Sequence, residues 1–248
     1  SPTPFHAVSS MASMLKNEGF TELSEDDEWA LEVGSRHFVT RNGSSMIAFI
    51  VGKAPLLDTG IKMVGAHTDS PCLMVKPQPE ITKQGYLQLG VEVYGGALLN
   101  PWFDRDLSIA GRVVYQDASG NLKQTLVDFK RAVATIPSLA IHLDREANTG
   151  HSVNAQTDIL PILMQVSGSS ASFRELLSDQ FLKDDEKVVD YELCFYYTQQ
   201  AAVVGLQNEW PQRNRKGCPI NTMHWQGLVV VIWLEFGSSL GLAWLFWF

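Results

Sequence analysis

The chain has 248 residues, of which 45% are hydrophobic and 19% are charged, a composition that can bury one large core or two modest ones and excludes a disordered tail or a disulfide miniprotein. Its 19 Lys and Arg residues against 27 Asp and Glu residues give a formal charge of -8, so we do not expect nucleic acid as a partner. None of the three cysteines (Cys72, Cys194 and Cys218) is spaced as C-x-x-C, which argues against a zinc knot and a disulfide framework and favours a cytoplasmic location.

The first predicted elements are one helix and several strands. Thr3 is a suitable N-cap, Pro4 takes the first helical position, and apolar residues recur at helical spacing up to Gly19, the expected C-cap. Strands are then predicted at residues 36–40, 46–51 and 61–66. An Asn-Gly turn at residues 42–43 joins the first two strands into a hairpin. An α/β layer is therefore predicted at the start of the chain.

The pattern becomes strand-rich after Pro71. Strand-like runs follow one another with few helical signals between them, at residues 86–94, 107–116, 122–129 and 189–198. One short amphipathic helix is predicted at residues 172–182. This texture predicts a β-rich second unit.

The last segment, residues 228–248, is apolar, with Glu235 as its only charged residue. Its length is that of a membrane span, and basic residues precede it. Glu235 lies near its centre, however, together with Gly237 and two serines, and an ionisable group is costly there. We therefore expect a non-native or frame-shifted tail rather than a span, and no membrane partner.

The most informative short motif is GAHTDSP at residues 65–71, directly after the apolar run 61–64. Open α/β sheets collect ligands at the carboxyl ends of their strands. His67 is a candidate zinc ligand there, and Asp69 could orient its ring or polarise a bound water. Taken alone, the His-x-Asp spacing fits a loop-stabilising pair equally well, so the residues themselves leave both interpretations open.

Two further candidates lie later in the chain. His142, within IPSLAIHLDR at residues 136–145, is a second possible ligand, although a partly buried strand histidine bonded to backbone is the commoner arrangement. The run Asp104-Arg105-Asp106 could clamp a substrate, but acids that flank an arginine more often form a surface ion-pair cluster. The sequence has no H-E-x-x-H, G-x-G-x-x-G or Walker A motif, which disfavours zincins, Rossmann enzymes and P-loop NTPases.

Four blocks occur in one order along the chain. They are SPTPFHAV at residues 1–8, GAHTDSPCLMVKP at 65–77, WFDRDL with AGRV at 102–113, and IPSLAIHLDR at 136–145. Together they resemble the aspartyl aminopeptidase family of zinc metallopeptidases, and the resemblance covers residues 1 to about 210.

The resemblance implies an α/β fold, the first part of a zinc-exopeptidase catalytic domain that is interrupted by a β-rich dimerisation domain. The implied segments are residues 1–75 for the first part of the catalytic domain, 76–200 for the dimerisation domain, 201–210 for the return to the catalytic domain, and 211–248 for a non-family apolar tail. It also implies a homo-oligomer, from a dimer up to a tetrahedral dodecamer, in the cytoplasm.

The implied function is a metallo-aminopeptidase that releases N-terminal Asp or Glu from peptides by means of water activated by two zinc ions. One zinc would polarise the scissile carbonyl while both lower the pKa of the bridging water. His67 would be a zinc ligand, and Asp69 the catalytic carboxylate that supports it. His142 matches a family histidine that is either a metal ligand or a substrate-facing group lent to a neighbouring subunit.

The resemblance ends after Asn208-Glu209-Trp210, where the family carries a bridging Asp, a Glu-Glu pair, another Asp and a final His. Residues 211–248 contain one acid, Glu235, and one histidine, His224, which cannot rebuild a two-zinc site. We therefore expect a truncated chain whose activity would need ligands from elsewhere. One alternative is a non-catalytic dimerisation or interaction fragment built on residues 76–200, and the weakest is a membrane-anchored form.

Overall fold

The computed structural model describes residues 1–166, 172–199, 202–207, 210–212 and 231–233. The described residues fall into two compact units, a first unit built mainly on residues 3–69 with 231–233, and a second unit built on residues within 70–212. The fold is mixed α/β, as the sequence predicts. The domain boundaries implied at residues 75 and 200 stay a prediction.

The helices and strands have the following bounds. The helices are α1 (Pro4–Asn17), α2 (Leu56–Thr59) and α3 (Phe173–Phe181), and a 3-10 turn spans Asn100–Trp102. The strands are β1 (Thr21–Leu23), β2 (Arg36–Arg41), β3 (Ser45–Ile50), β4 (Lys62–Val64), β5 (Cys72–Lys83), β6 (Tyr86–Tyr94), β7 (Leu107–Gln116), β8 (Leu122–Asp128), β9 (Ile162–Gln165), β10 (Lys187–Tyr197), β11 (Ala202–Val204), β12 (Trp210–Gln212) and β13 (Val231–Trp233).

Helix α1 begins where its sequence signals predict. The Thr3 hydroxyl accepts the His6 backbone N–H at 3.4 Å and so satisfies one of the free donors of the first turn. The predicted C-cap is displaced by one residue, because Glu18 is the cap and Gly19 follows it with φ 79°. Glycine is preferred at that next position since the left-handed conformation costs it nothing.

The first unit contains one five-stranded sheet in the order β1-β2-β3-β13-β4. The predicted hairpin is confirmed: β2 and β3 pair antiparallel from Arg36↔Ile50 to Arg41↔Ser45. Its turn places both Asn42 (φ 52°) and Gly43 (φ 63°) in the left-handed region, which these residue types tolerate best.

The core of the first unit is small. Among the described residues, its buried cluster comprises five side chains from α1, β2 and β3, namely Val8, Leu15, Phe38, Met46 and Ala48. Strand β4 contributes none of them, and Met63 at its centre is 65% exposed. Residues 65–71, which follow β4, are therefore preceded by an exposed strand.

The second unit is β-rich, as predicted, and its main sheet is antiparallel in the order β8-β7-β10-β5-β6-β9. Strands β6 and β7 have the predicted bounds, and α3, β8 and β10 agree with prediction to within two residues. Strand β5 is an addition that the sequence pattern did not indicate. Its pairing with β6 is irregular between Val75 and Glu80, which accommodates Pro77 and Pro79 in a strand that proline would otherwise interrupt.

The core of the second unit is the larger of the two. Its fully buried side chains include Leu73, Leu89, Leu107, Ile109, Leu193 and Phe195 from the sheet and Leu177 from α3. Trp102 is also fully buried, and its ring lies 4.8 Å from that of Tyr197. The short turn that carries Trp102 is thus fixed against the sheet.

Two free cysteines lie inside this sheet. Cys72 of β5 and Cys194 of β10 are both buried, on neighbouring strands. The hydrogen bond that the Cys194 thiol makes with the Cys72 side chain, and then burial, raise the pKa of Cys194. The Cys194 thiol is therefore protonated at neutral pH. Cys218 lies outside the described residues.

Within the part of the chain that the structure describes, no helix is both long enough and apolar enough to cross a membrane. The predicted non-family tail lies outside the described residues except for residues 211–212, which belong to β12, and β13.

Candidate functional site

The segment of residues 65–71 follows β4 at its carboxyl end, as the sequence predicts. A side-chain hydrogen bond ties it to the β2–β3 turn: the hydroxyl of Thr68 donates to the carbonyl oxygen of Ser44 at 2.7 Å. Thr68 is half-buried, whereas His67 beside it is exposed. One residue thus holds the segment while its neighbour presents a side chain to solvent.

The structure brings His67 and Asp69 together. Nδ1 of His67 lies 2.8 Å from the carbonyl oxygen of Asp69 and 3.2 Å from its carboxylate Oδ1. Both side chains remain partly accessible, at 48% for His67 and 43% for Asp69. The pair is therefore a surface arrangement that a ligand can reach.

This contact selects one tautomer of the neutral His67 ring. Both partners of Nδ1 are acceptors, so Nδ1 carries the hydrogen and Nε2 of His67 carries the lone pair. A metal-bound histidine has the same form, with its second ring nitrogen donating to a carboxylate or a backbone carbonyl. Asp69 thus occupies the supporting position that such a ligand requires.

The set of donors is incomplete as a zinc site among the described residues. A structural or catalytic zinc takes at least three protein ligands, and no group of three or more His, Cys, Asp or Glu side chains in the described ranges could hold a metal. The chemistry of His67 fits zinc, but a single imidazole does not make a zinc site.

His142 lies in the second unit, on a turn within an exposed loop. We call residues 139–158 the His142 loop. It is closed by its own contacts, among them one of 2.9 Å between Nδ1 of His151 and a carboxylate oxygen of Asp144 and a hydrogen bond from the Asn154 N–H to Asp158 at 2.7 Å. His142 itself is exposed, which differs from the partly buried strand histidine that the alternative interpretation expects.

The run Asp104-Arg105-Asp106 does not form the ion-pair cluster that its sequence suggests. Within the described residues neither acid pairs with Arg105, and Asp104 instead accepts the backbone N–H of Ser138 at 2.9 Å. The carbonyl oxygen of Asp106 accepts from the N–H and the hydroxyl of Thr198. Local backbone groups compete for these residues more effectively than the neighbouring guanidinium.

Two contacts of the candidate site are missed by sequence reasoning. The Thr68–Ser44 bond spans 24 residues, and no local pattern in the sequence pairs them. The Asp104–Ser138 bond spans 34 residues. The single hint was that both motifs are rich in polar residues with short side chains, which commonly bond to backbone.

Comparison with known proteins gives one family. The sequence profile described as "Aminopeptidase I zinc metalloprotease (M18)" matches residues 1–216. A protein named "Probable M18 family aminopeptidase 2" from Pseudomonas savastanoi pv. phaseolicola is 56% identical over 215 residues, which are 85% of this chain and 50% of that protein. The protein of the same name from Azotobacter vinelandii is 54% identical over the same shares. The chain thus spans about half the length of the curated relatives it matches.

Solved structures give the same result. The structure described as "Cryo-EM structure of the Ape4 and Nbr1 complex" is similar with a TM-score of 0.74 and 38% identity, over 84% of this chain and 44% of that one. The "Structure of Chaetomium thermophilum mApe1" has a TM-score of 0.73 and 31% identity, over 95% and 59%. The "Structure of S. cerevesiae mApe1 dodecamer" has a TM-score of 0.65 and 27% identity, over 84% and 48%.

Proposed function

The chain belongs to the M18 family of zinc metalloprotease aminopeptidases, and from that premise we propose that it supplies the His67 portion of an aminopeptidase that releases N-terminal Asp or Glu from peptides. The observation that carries the proposal is the contact of His67 with Asp69 inside the matched range. Bound zinc, two ions in the complete site, would polarise the scissile carbonyl and activate a water.

Each residue of the segment has a distinct part in this proposal. His67 presents Nε2 as one metal donor. Asp69 keeps the hydrogen on Nδ1 and fixes the plane of the ring. Thr68 holds the segment through Ser44, so the ring is presented from a fixed backbone. Apart from His142, the remaining ligands would come from the part of its relatives' length that this chain does not span.

The finer parts of the proposal rest on the family resemblance. The preference for acidic N-termini has no side chain assigned to it in this chain. His142 is proposed as a metal ligand or a substrate-facing group, and its exposure in the His142 loop leaves the side chain accessible for either role. We also propose a homo-oligomer in the cytoplasm. One solved relative carries the word dodecamer in its description, which supports an assembly of this kind.

A zinc titration and a substrate panel test the proposal together. The purified full chain is titrated with zinc by calorimetry, and hydrolysis is measured on the p-nitroanilides of Asp, Glu, Leu and Lys. We expect zinc binding that depends on His67 and, where the remaining ligands are supplied, hydrolysis of the Asp and Glu substrates that chelation abolishes. His67→Ala should lower zinc affinity at least about tenfold.

A matched control separates the loss of a ligand from the loss of any histidine. His6→Gln lies in the same unit and changes an imidazole whose Nδ1 bonds to the Thr3 hydroxyl at 2.8 Å. It should bind zinc as the parent chain does. Equal zinc affinity in the parent and in His67→Ala would contradict the proposed ligand, and preferential hydrolysis of Leu or Lys substrates would contradict the acidic preference.

The second candidate function is an interaction fragment. The observation that favours it is that the larger core and the six-stranded sheet both belong to the second unit, so the β-rich part has the core of a self-sufficient domain. Absence of zinc and hydrolysis, together with co-purification of this chain with a full-length M18 subunit, would favour this function over the first.

A further inference from the structure

We propose that Asp104 is a positioning residue that fixes the base of the His142 loop and thereby the place from which His142 is presented. The inference deepens the proposed function, because it rests on that function for the role of His142. The fixing of the loop itself rests only on contacts within the second unit.

Asp104 holds the chain at two points just before the loop. Its backbone N–H donates to the carbonyl oxygen of Ile136 at 2.8 Å, and its carboxylate Oδ1 accepts the N–H of Ser138 at 2.9 Å. The Ser138 side chain and then its N–H lower the pKa of Asp104. The acceptor is therefore a carboxylate at neutral pH, and charge-assisted bonds of this kind are stronger than neutral ones.

The residues on either side of Asp104 are fixed, so it is a rigid support. Trp102 is fully buried, and the Asp106 carbonyl oxygen accepts two bonds from Thr198, at 3.1 and 3.2 Å. Between them Asp104 has φ 55°. A left-handed conformation is uncommon outside glycine but is tolerated by Asp and Asn. Here it allows both the backbone N–H and the carboxylate of Asp104 to bond to residues 136–138.

The supported segment changes character immediately after Ser138. Ile136 is 1% exposed and belongs to the core, and residues 133–135 bond to Leu107 on one side and to Ile162 on the other. From Leu139, which is 62% exposed, the backbone–backbone hydrogen bonds of residues 140–151 join residues of that same stretch. Among the described residues, the Ser138 bond is therefore the last backbone tie to the rest of the second unit before His142.

The returning end of the loop has its own support. Gln156 accepts from Lys76 of β5 at 2.6 Å and donates to Glu92 of β6 at 3.4 Å, and Ile159 is fully buried. With the far end held in this way, loss of Asp104 should release only the near end, which carries His142.

Amide hydrogen exchange of the full chain tests the fixing. Asp104→Gly keeps the left-handed backbone accessible but removes the carboxylate, and peptides covering residues 137–143 should exchange about tenfold faster. Asp104→Asn keeps an oxygen acceptor and tolerates the backbone, so it should recover most of the protection. Asp106→Asn is the matched control, since the bonds from Thr198 use the backbone oxygen of Asp106, and it should match the parent.

Ser138→Ala changes the other partner of the Asp104–Ser138 contact. It keeps the test valid if Asp104→Gly fails to fold. It removes the hydroxyl but keeps the N–H, so its exchange should fall between the parent and Asp104→Gly. Unchanged exchange in both Asp104→Gly and Ser138→Ala would overturn the proposal, as would equal exchange in Asp104→Gly and Asp106→Asn.

Steady-state hydrolysis of aspartyl p-nitroanilide separates positioning from a merely structural role. Asp104→Gly should lower kcat about tenfold with KM within twofold, and Asp104→Asn should restore it. An unchanged kcat with lost protection would overturn the positioning role. An unchanged kcat in His142→Ala would overturn the proposal that Asp104 acts on hydrolysis by positioning His142. A parent chain without hydrolysis counts against the proposed function alone, and the exchange data then decide whether Asp104 fixes the loop.

Discussion

At the scale of single residues, the candidate site depends on short polar side chains that bond to backbone. Thr68 and Asp104 each hold a segment that carries a histidine. The bonding partner of each side chain is a backbone group of a distant serine rather than the imidazole, so each acts by placing the backbone. Substitutions at these positions should therefore change presentation of the imidazole rather than its chemistry.

Thr68→Val tests this for His67. Valine keeps the branched shape but cannot donate to Ser44, so we expect the free energy of unfolding to fall by about 1 kcal/mol and zinc affinity to fall about tenfold. Thr68→Ser retains the hydroxyl and should stay close to the parent in both. Denaturant unfolding and zinc calorimetry measure the two effects, and a valine variant with parental zinc affinity would contradict the positioning role.

The residue types at the candidate site were predictable, but their contacts were not. The sequence identifies His67 and Asp69 because a His-x-Asp follows a predicted strand, and the structure places them in contact. It could not identify the tie to Ser44, since hydrogen bonds over 24 residues depend on how two loops meet. His142 was a candidate ligand from the sequence and received its more specific role from the resemblance. The two histidines lie in different units, so no local pattern could relate them.

At the scale of elements, the strongest constraint in the second unit is the close approach of β7 and β10. A Cβ on Gly111 would overlap the backbone carbonyl of Glu192 on the facing strand. Backbone cannot move away as a side chain can. Glycine is therefore required at position 111 because there is no space for a Cβ, and not because of its backbone conformation.

Gly111→Ala should consequently destabilise the second unit by about 3 kcal/mol or more, beyond ordinary overpacking, or prevent its folding. Gly96→Ala is the control, because a Cβ there would meet no atom within 4 Å, and it should lie within about 0.5 kcal/mol of the parent. Urea unfolding followed by circular dichroism compares them. Equal midpoints for the two variants would show that β7 and β10 can separate at Gly111 without cost.

Elements with clear local signals were predicted well. The Asn-Gly turn fixed the β2–β3 hairpin, and strand-like runs rich in apolar residues predicted β6 and β7 with their bounds. Strand β5 was missed because Pro77 and Pro79 argue against a strand, and only its irregular pairing with β6 accommodates them. Strands β1 and β9 are three and four residues long, too short for a period to be read.

At the scale of the whole molecule, the two units differ in how much apolar surface they bury. Among the residues that the structure describes, the buried cluster of the first unit has five members, whereas that of the second unit has 18. Burial of apolar surface is the main favourable contribution to folding. The first unit should therefore open at a lower free energy than the second.

Phe38→Ala tests this difference. Phe38 is fully buried in the first unit, and its truncation should cost about 3–5 kcal/mol. We expect the amides of β2 and β3 to lose protection while those of β7 and β10 keep it. Native-state hydrogen exchange measures both. Equal loss in both units would show that they unfold as one cooperative body.

Alkylation of the two buried thiols can report the opening of the main sheet of the second unit. Cys72 and Cys194 are both buried, the pKa of Cys194 is raised, and alkylating reagents attack the exposed thiolate. Iodoacetamide should therefore modify these two residues only in molecules whose sheet has opened between β5 and β10. Mass spectrometry of the two peptides then counts opening events over time, without a fluorophore, a substrate or any substitution.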